Sequence, residues 1–180
     1  VFKWQNMDET IYLKYIWKAQ ESITGAKYHS KNSVVPKIMN TIYLVIAIYF
    51  ILVGLYGLLV FDDLGAISTI VLGLFYIFLS KLNLNLILFA RNIKRLNYEN
   101  KEVEWEISKD KIVYRMINLT ESTYSWEFIK SVLDTPKGFL LYPQKNTFYW
   151  LPKKAFTKEE DIAVFAFIAQ DKVKNFQQIK

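Results

Sequence analysis

The sequence contains no cysteine and a single histidine, His29. That excludes disulfides, thiol catalysis and zinc centres built from cysteine and histidine, and it leaves one candidate for the usual general base. His29 itself stands in a polar stretch and reads as a solvated loop residue. Four prolines and six glycines in 180 residues leave no Pro-rich or Gly-rich tract. No glycine-rich phosphate loop and no nucleophile elbow occurs. The first 35 residues hold no apolar run of signal-peptide length. A block of one charge is missing too. The net charge of +6 is spread along the chain, so a nucleic-acid partner is not expected, and anionic lipid headgroups are the better counter-charge.

Long apolar runs, by contrast, dominate the first half. Thr41–Phe61 is 21 residues without a formal charge, and Leu64–Ser80 adds 17 more across the joint Asp62-Asp63. At about 1.5 Å per helical residue the first run covers the roughly 30 Å hydrocarbon core of a bilayer. The second is near the short limit, with Lys81 able to snorkel from its end. So short a joint predicts a two-helix transmembrane hairpin. A buried helical pair in a soluble protein is the plainer alternative, but few core helices stay apolar on every face for that length. Lys27, Lys31 and Lys37 precede the first run, and Lys81, Arg91, Lys94 and Arg95 follow the second. The positive-inside rule then places both termini in the cytoplasm and the Asp62-Asp63 turn outside. Neither run contains an ionisable residue at mid-membrane, which suits an anchor better than a channel. Gly54, Gly57, Gly65, Thr69 and Gly73 supply small surfaces for close helix packing, within the hairpin or between two copies.

The stretch 1–37 is expected to hold a strand at Phe2–Gln5, a helix start at Asn6–Glu9, a helix with Ile11, Tyr12, Tyr15, Ile16, Ala19 and Ile23 on one face, and a polar linker from Gly25 to Pro36. That helix either packs on the following domain or lies on the membrane. The stretch 38–97 is the hairpin, continued past Lys81 by Leu82, Leu86, Phe89, Ile93 and Leu96 at helical spacing. The expectation there is an unbroken amphipathic stalk, open to pairing with the Ile11–Ile23 helix or with a second copy of itself.

The period then changes. Residues 98–180 open with Glu102–Ile107, a strict alternation that marks a half-buried strand with three solvated glutamates. Further strands are expected at Ile112–Met116, from Tyr124 through Leu133, at Phe139–Tyr142 and at Phe148–Leu151. Thr157-Lys158-Glu159-Glu160 reads as a capping box opening a last helix with Ile162, Phe165, Ile168, Ala169, Val173 and Phe176 on its buried side. The fold class is therefore α+β: a membrane hairpin plus a small antiparallel sheet or partial barrel closed by a C-terminal helix, a pleckstrin-homology-like layout. Glu159, Glu160 and Asp161 suit the helix dipole, and no catalytic constellation stands out. Neither enzyme activity nor a cofactor nor a metal is expected. Lys137, Lys145, Lys153 and Lys154 could line a basic rim for anionic lipid or serve as ordinary surface lysines. Tyr149 is the outward candidate in Phe148-Tyr149-Trp150.

The strand Lys111–Arg115, the segment Tyr124–Ile129 around Trp126, Phe139–Tyr142 and Phe148–Phe156 resemble the C-terminal domain of the YcxB-like family of bacterial membrane proteins. The two apolar runs and the early residues are similar to that family's N-terminal half. The resemblance implies a small protein of the bacterial cytoplasmic membrane with a cytoplasmic pleckstrin-homology-like domain, and it carries over no catalytic residue. The function expected is non-enzymatic binding of a protein or lipid partner at the membrane. The alternative is an immunity protein that neutralises a membrane-acting toxin, with the toxin or a complex subunit as the protein partner.

Overall fold

The computed structural model describes residues 10–145 and 147–179. They fall into two units, one made from the chain up to Tyr28 and from Asn92 onward, the other from His29–Arg91. The expected strand at Phe2–Gln5 and helix start at Asn6–Glu9 lie outside the described residues.

The first unit begins with a correction. Ile11–Ile16 is not the start of a helix but strand β1, which pairs antiparallel with β2, Glu102–Ile107. The segment alternates as well as it spirals. Ile11 and Leu13 turn inward while Tyr12 and Lys14 turn out. Long-range pairing decides between the two readings, because Lys14 lies over the outer face of β2 and contacts Glu102 at 2.5 Å and Glu104 at 3.1 Å. The helix follows later. α1 is Ala19–Asn32, so most of the expected linker is helical and His29 sits half-buried within it. Burial lowers the His29 pKa.

β1 and β2 continue into β3, Lys111–Met116, and β4, Thr120–Ser125, giving one antiparallel sheet in the order β1-β2-β3-β4. The long strand expected from Tyr124 to Leu133 is broken. A short 3₁₀ turn at Trp126–Phe128 drops Trp126 into the core, where its indole N–H donates to the Ser108 carbonyl at 2.8 Å. The second sheet then forms in the order β7-β6-β5-β8 from β5 Ser131–Thr135, β6 Gly138–Gln144, β7 Thr147–Pro152 and β8 Asn175–Gln178. β8 runs parallel to β5, so this sheet is mixed. Helix α5, Glu159–Lys172, connects β7 to β8 and buries Val164, Phe165, Ile168 and Ala169. The capping box does not form: Lys158 is the N-cap residue and no side chain caps the helix. Both sheets and α5 feed one core that includes Trp105, Ile107, Phe139, Leu141 and Phe165.

The second unit holds α2, Val34–Phe61, α3, Ala66–Lys81, and most of α4, Leu84–Arg95. Only Ala47 and Gly54 of the 28 residues of α2 are buried. By length and composition α2 alone is long and apolar enough to cross a membrane. α3 and α4 qualify only as a pair bent by 56° at a break, so the unbroken stalk is a second correction. The bend has a local cause. Leu82 is extended, and Asn83 starts a new helix by accepting the Leu86 N–H on its side-chain oxygen at 3.1 Å, the role asparagine fills well at a helix start.

α2 and α3 pack through a short repeat. Ala47-x3-Ile51-x2-Gly54 on α2 has the same spacing as Ala66-x3-Ile70-x2-Gly73 on α3. A Cβ on Gly54 would lie 2.9 Å from the Ala66 carbonyl oxygen and 2.6 Å from Ile70. A Cβ on Gly73 would lie 2.9 Å from the Ala47 carbonyl oxygen and 2.7 Å from Ile51. Each glycine thus receives the other helix's Ala-Ile ridge, in a locally two-fold contact. Small residues allow such approach.

Candidate functional site

The five residues singled out for partner contact come to different places. Lys153 is not a free rim lysine. Its ammonium lies 2.6 Å from Oδ1 of Asp134, which is 5% exposed, and 4.9 Å above the Phe139 ring. Asp134 Oδ2 accepts from the Gln178 amide at 3.0 Å, so the pair ties β5, β8 and the turn after β7 together. Lys154 contacts Glu21 of α1 at 2.5 Å, and the other oxygen of Glu21 accepts the Trp150 indole N–H at 3.4 Å. Lys137 and Lys145 are exposed, but they flank β6 at its two ends, about 26 Å apart at the rise of a strand. The four lysines do not form one rim.

Tyr149 faces inward. The strand Phe148-Tyr149-Trp150 packs on both of its faces, with Trp150 buried and Phe148 and Tyr149 half-buried. Trp150 packs with Leu133, Leu140 and Tyr28, and Gly25 of α1 lies so close that a Cβ would meet the indole at 2.9 Å. Tyr149 turns to the other side and enters the space between the sheets, against Trp105, Tyr114 and Tyr124. Its hydroxyl and that of Tyr124 share a hydrogen bond of 2.9 Å, which links β7 to β4 across the two sheets. Tyr124 in turn stacks on Phe128 at 4.9 Å, and Phe128 is exposed. Cross-sheet pairs of this kind depend on which strands meet. The inward side of Tyr114 was legible from its alternation with Ile112 and Met116, whereas the Tyr124–Tyr149 contact has no signal in the order of residues.

The phenols are tuned away from neutral chemistry. Burial, with the nearby Tyr124 and Tyr98, pushes the Tyr114 hydroxyl up to about 12. Burial and the Tyr124 hydrogen bond push Tyr149 up as well. Tyr15 is raised by burial, although the Trp105 indole lies near enough to oppose the shift. The Trp105 N–H itself has no hydrogen bond of good geometry among the described residues. A group that transfers protons at pH 7 needs a pKa drawn toward that value, and these move the other way. Among the described residues no three His, Asp or Glu side chains are grouped to hold a metal ion. On the outer face of the first sheet, Lys14 pairs with Glu102 and Glu104, and Arg115 with Glu106 and Glu121.

The small residues of the helix pair also sort out. Gly54 and Gly73 lie in the seam, and a Cβ on Gly57 would meet only the Ala66 Cβ at 3.1 Å. Gly65 belongs to the turn, where its N–H donates to Asp63 Oδ1 at 2.8 Å, and Thr69 is half-buried. The seam residues that the sequence reading left out are Ala47 and Ala66. Both are buried, and a match between the two eight-residue repeats would have found them.

The family model described as YcxB-like protein matches residues 107–168, from the last residue of β2 into α5. Neither a curated protein nor a solved structure matches the chain.

Proposed function

We propose that the chain, whose residues 107–168 match the YcxB-like family model, is a membrane-anchored, non-enzymatic binding protein whose β unit holds a protein or lipid partner. The observation that carries this is the outer surface of α2. Leu59 and Phe61 are 78% and 67% exposed, and Leu44, Val45, Ile48, Leu52 and Tyr56 are exposed along the same helix. Withdrawing one such side chain from water is worth about 1.5–3 kcal/mol, and contiguous apolar surface on this scale is not left in water by soluble proteins. A bilayer covers it without needing a partner chain. α3, packed on α2 through the glycine seam, is the second member of a transmembrane hairpin in this reading. The cations Lys31, Lys37, Lys81 and Arg91 then lie on the cytoplasmic side and Asp62-Asp63 outside.

The β unit supports a pleckstrin-homology-like layout through its two sheets on one core and its C-terminal helix α5. Its partner surface in this reading includes Lys137 and Lys145, since Lys153, Lys154 and Tyr149 are engaged internally. The test is capture of the tagged full-length chain in mild detergent, with bound species identified by mass. The reading predicts a bound protein in stoichiometric amount, or an anionic lipid, lost on joint Lys137→Glu and Lys145→Glu substitution. A secreted, toxin-like protein in that position would make the chain an immunity protein. Capture of neither contradicts a binding role.

A further inference from the structure

The bend between α3 and α4 opens a cleft against the first turns of α2. It measures about 560 Å³, within the size range of sites for small molecules. Its lining is divided. Met39 and Leu88 stand for the apolar part, while Asn40, Asn85 and Lys81 supply amides and one ammonium group. Lys81 is the single charged residue of the lining, and it has no ion pair among the described residues. Asn83, also in the lining, is already committed: it caps α4 and its amide bonds to Ser30. The free amides are those of Asn40 and Asn85, both exposed.

Charge in this unit is segregated by the antiparallel packing of α2 and α3. Asp62 and Asp63 are its only acids, at the turn, whereas Lys31, Lys37, Lys81 and Arg91 occupy the opposite end. The cleft is at that basic end. No carboxylate lines it, and one of its walls is hydrocarbon.

We propose that this cleft is a specific site for one anionic phospholipid. The phosphate sits on Lys81, the Asn40 and Asn85 amides hydrogen-bond the phosphate and glycerol oxygens, and the first acyl carbons lie along Met39 and Leu88. The asparagines give a site that a bare lysine on a helix end does not. Their amides can donate to phosphate and accept from a glycerol hydroxyl. This inference rests on the membrane reading above and makes it more specific, since it selects a headgroup and a position.

The experiment is native mass spectrometry of the full-length chain released from detergent, with phosphatidylglycerol and phosphatidylcholine added separately. One retained phosphatidylglycerol is expected, in clear preference to phosphatidylcholine. Lys81→Gln is expected to weaken retention about fivefold, the value of one cation at a lipid phosphate. Asn85→Leu should weaken it without changing net charge, and Arg91→Gln, outside the cleft, should leave it unchanged. Inorganic phosphate in excess should not displace the lipid. Equal retention of both lipids, an Arg91→Gln effect as large as that of Lys81→Gln, or displacement by phosphate alone would overturn the site while leaving the anchor standing. A chain that stays in aqueous solution once detergent is removed would overturn both.

Discussion

The Tyr124–Tyr149 hydroxyl pair shows what a single contact does here. Each phenol gives the other a partner in a space between two sheets that offers few, so removing one leaves the other poorly satisfied. Tyr149→Phe is expected to cost about 1 kcal/mol of stability in a denaturant melt of the full chain, with the fold retained. The same burial sets an alkaline limit. Tyr114 is raised from the ordinary 10.0 to about 12, so the folded state holds its proton more tightly than the unfolded one. The sign follows directly: this contribution is fully present below pH 10 and is lost as the pH rises through about 12. Ultraviolet titration of tyrosinate should therefore show a late group that joins the ordinary ones in Tyr149→Phe only if that substitution opens the cluster. Tyr149 also marks what the sequence could not reveal. Alternation in Phe148-Tyr149-Trp150 sorts the residues onto two faces, but not which faces are wet. Here α1 covers one and the first sheet covers the other.

At the scale of elements, α2 and α3 are held by their matched Ala-Ile-Gly repeats. Gly54 and Gly73 face backbone oxygens at 2.9 Å, and a carbonyl on a helix cannot step aside as a side chain can. Gly54→Val or Gly73→Val is expected to lower the stability of the purified chain in detergent by about 1–3 kcal/mol, the usual cost of overpacking. Gly57→Ala, which meets only a methyl group at 3.1 Å, should cost clearly less. Unfolding by added denaturing detergent measures both. These helices, strands β2, β3, β6 and β7 and the helix α5 were legible because each carries its period within itself. The failures share a cause. Ile11–Ile16 fits both a helical and an alternating pattern, and its pairing with β2, some ninety residues away, settles it. β8, with only four residues, takes its place from pairing with β5. Asn83 is a cap rather than one more polar residue on a stalk because the helix restarts there, and a 3,4 spacing of leucines runs across such a break without registering it.

For the whole molecule, the two units divide the labour. The β unit ties its strands with internal pairs such as Lys153–Asp134 and Tyr124–Tyr149 and holds the residues that match the YcxB-like family model; the helical unit leaves its apolar residues outward and its cations at one end. The membrane account joins these facts, and the absence of native cysteine allows a direct test. Asp62→Cys and, separately, Lys145→Cys give single thiols on an otherwise thiol-free chain. Intact cells are treated with a membrane-impermeant maleimide, and their membranes are then washed with alkaline carbonate. The account predicts that the chain stays in the membrane pellet, that the thiol at position 62 reacts from outside, and that the thiol at 145 reacts only after the cells are opened. Release into the carbonate wash, or labelling at 62 only after opening, would contradict it.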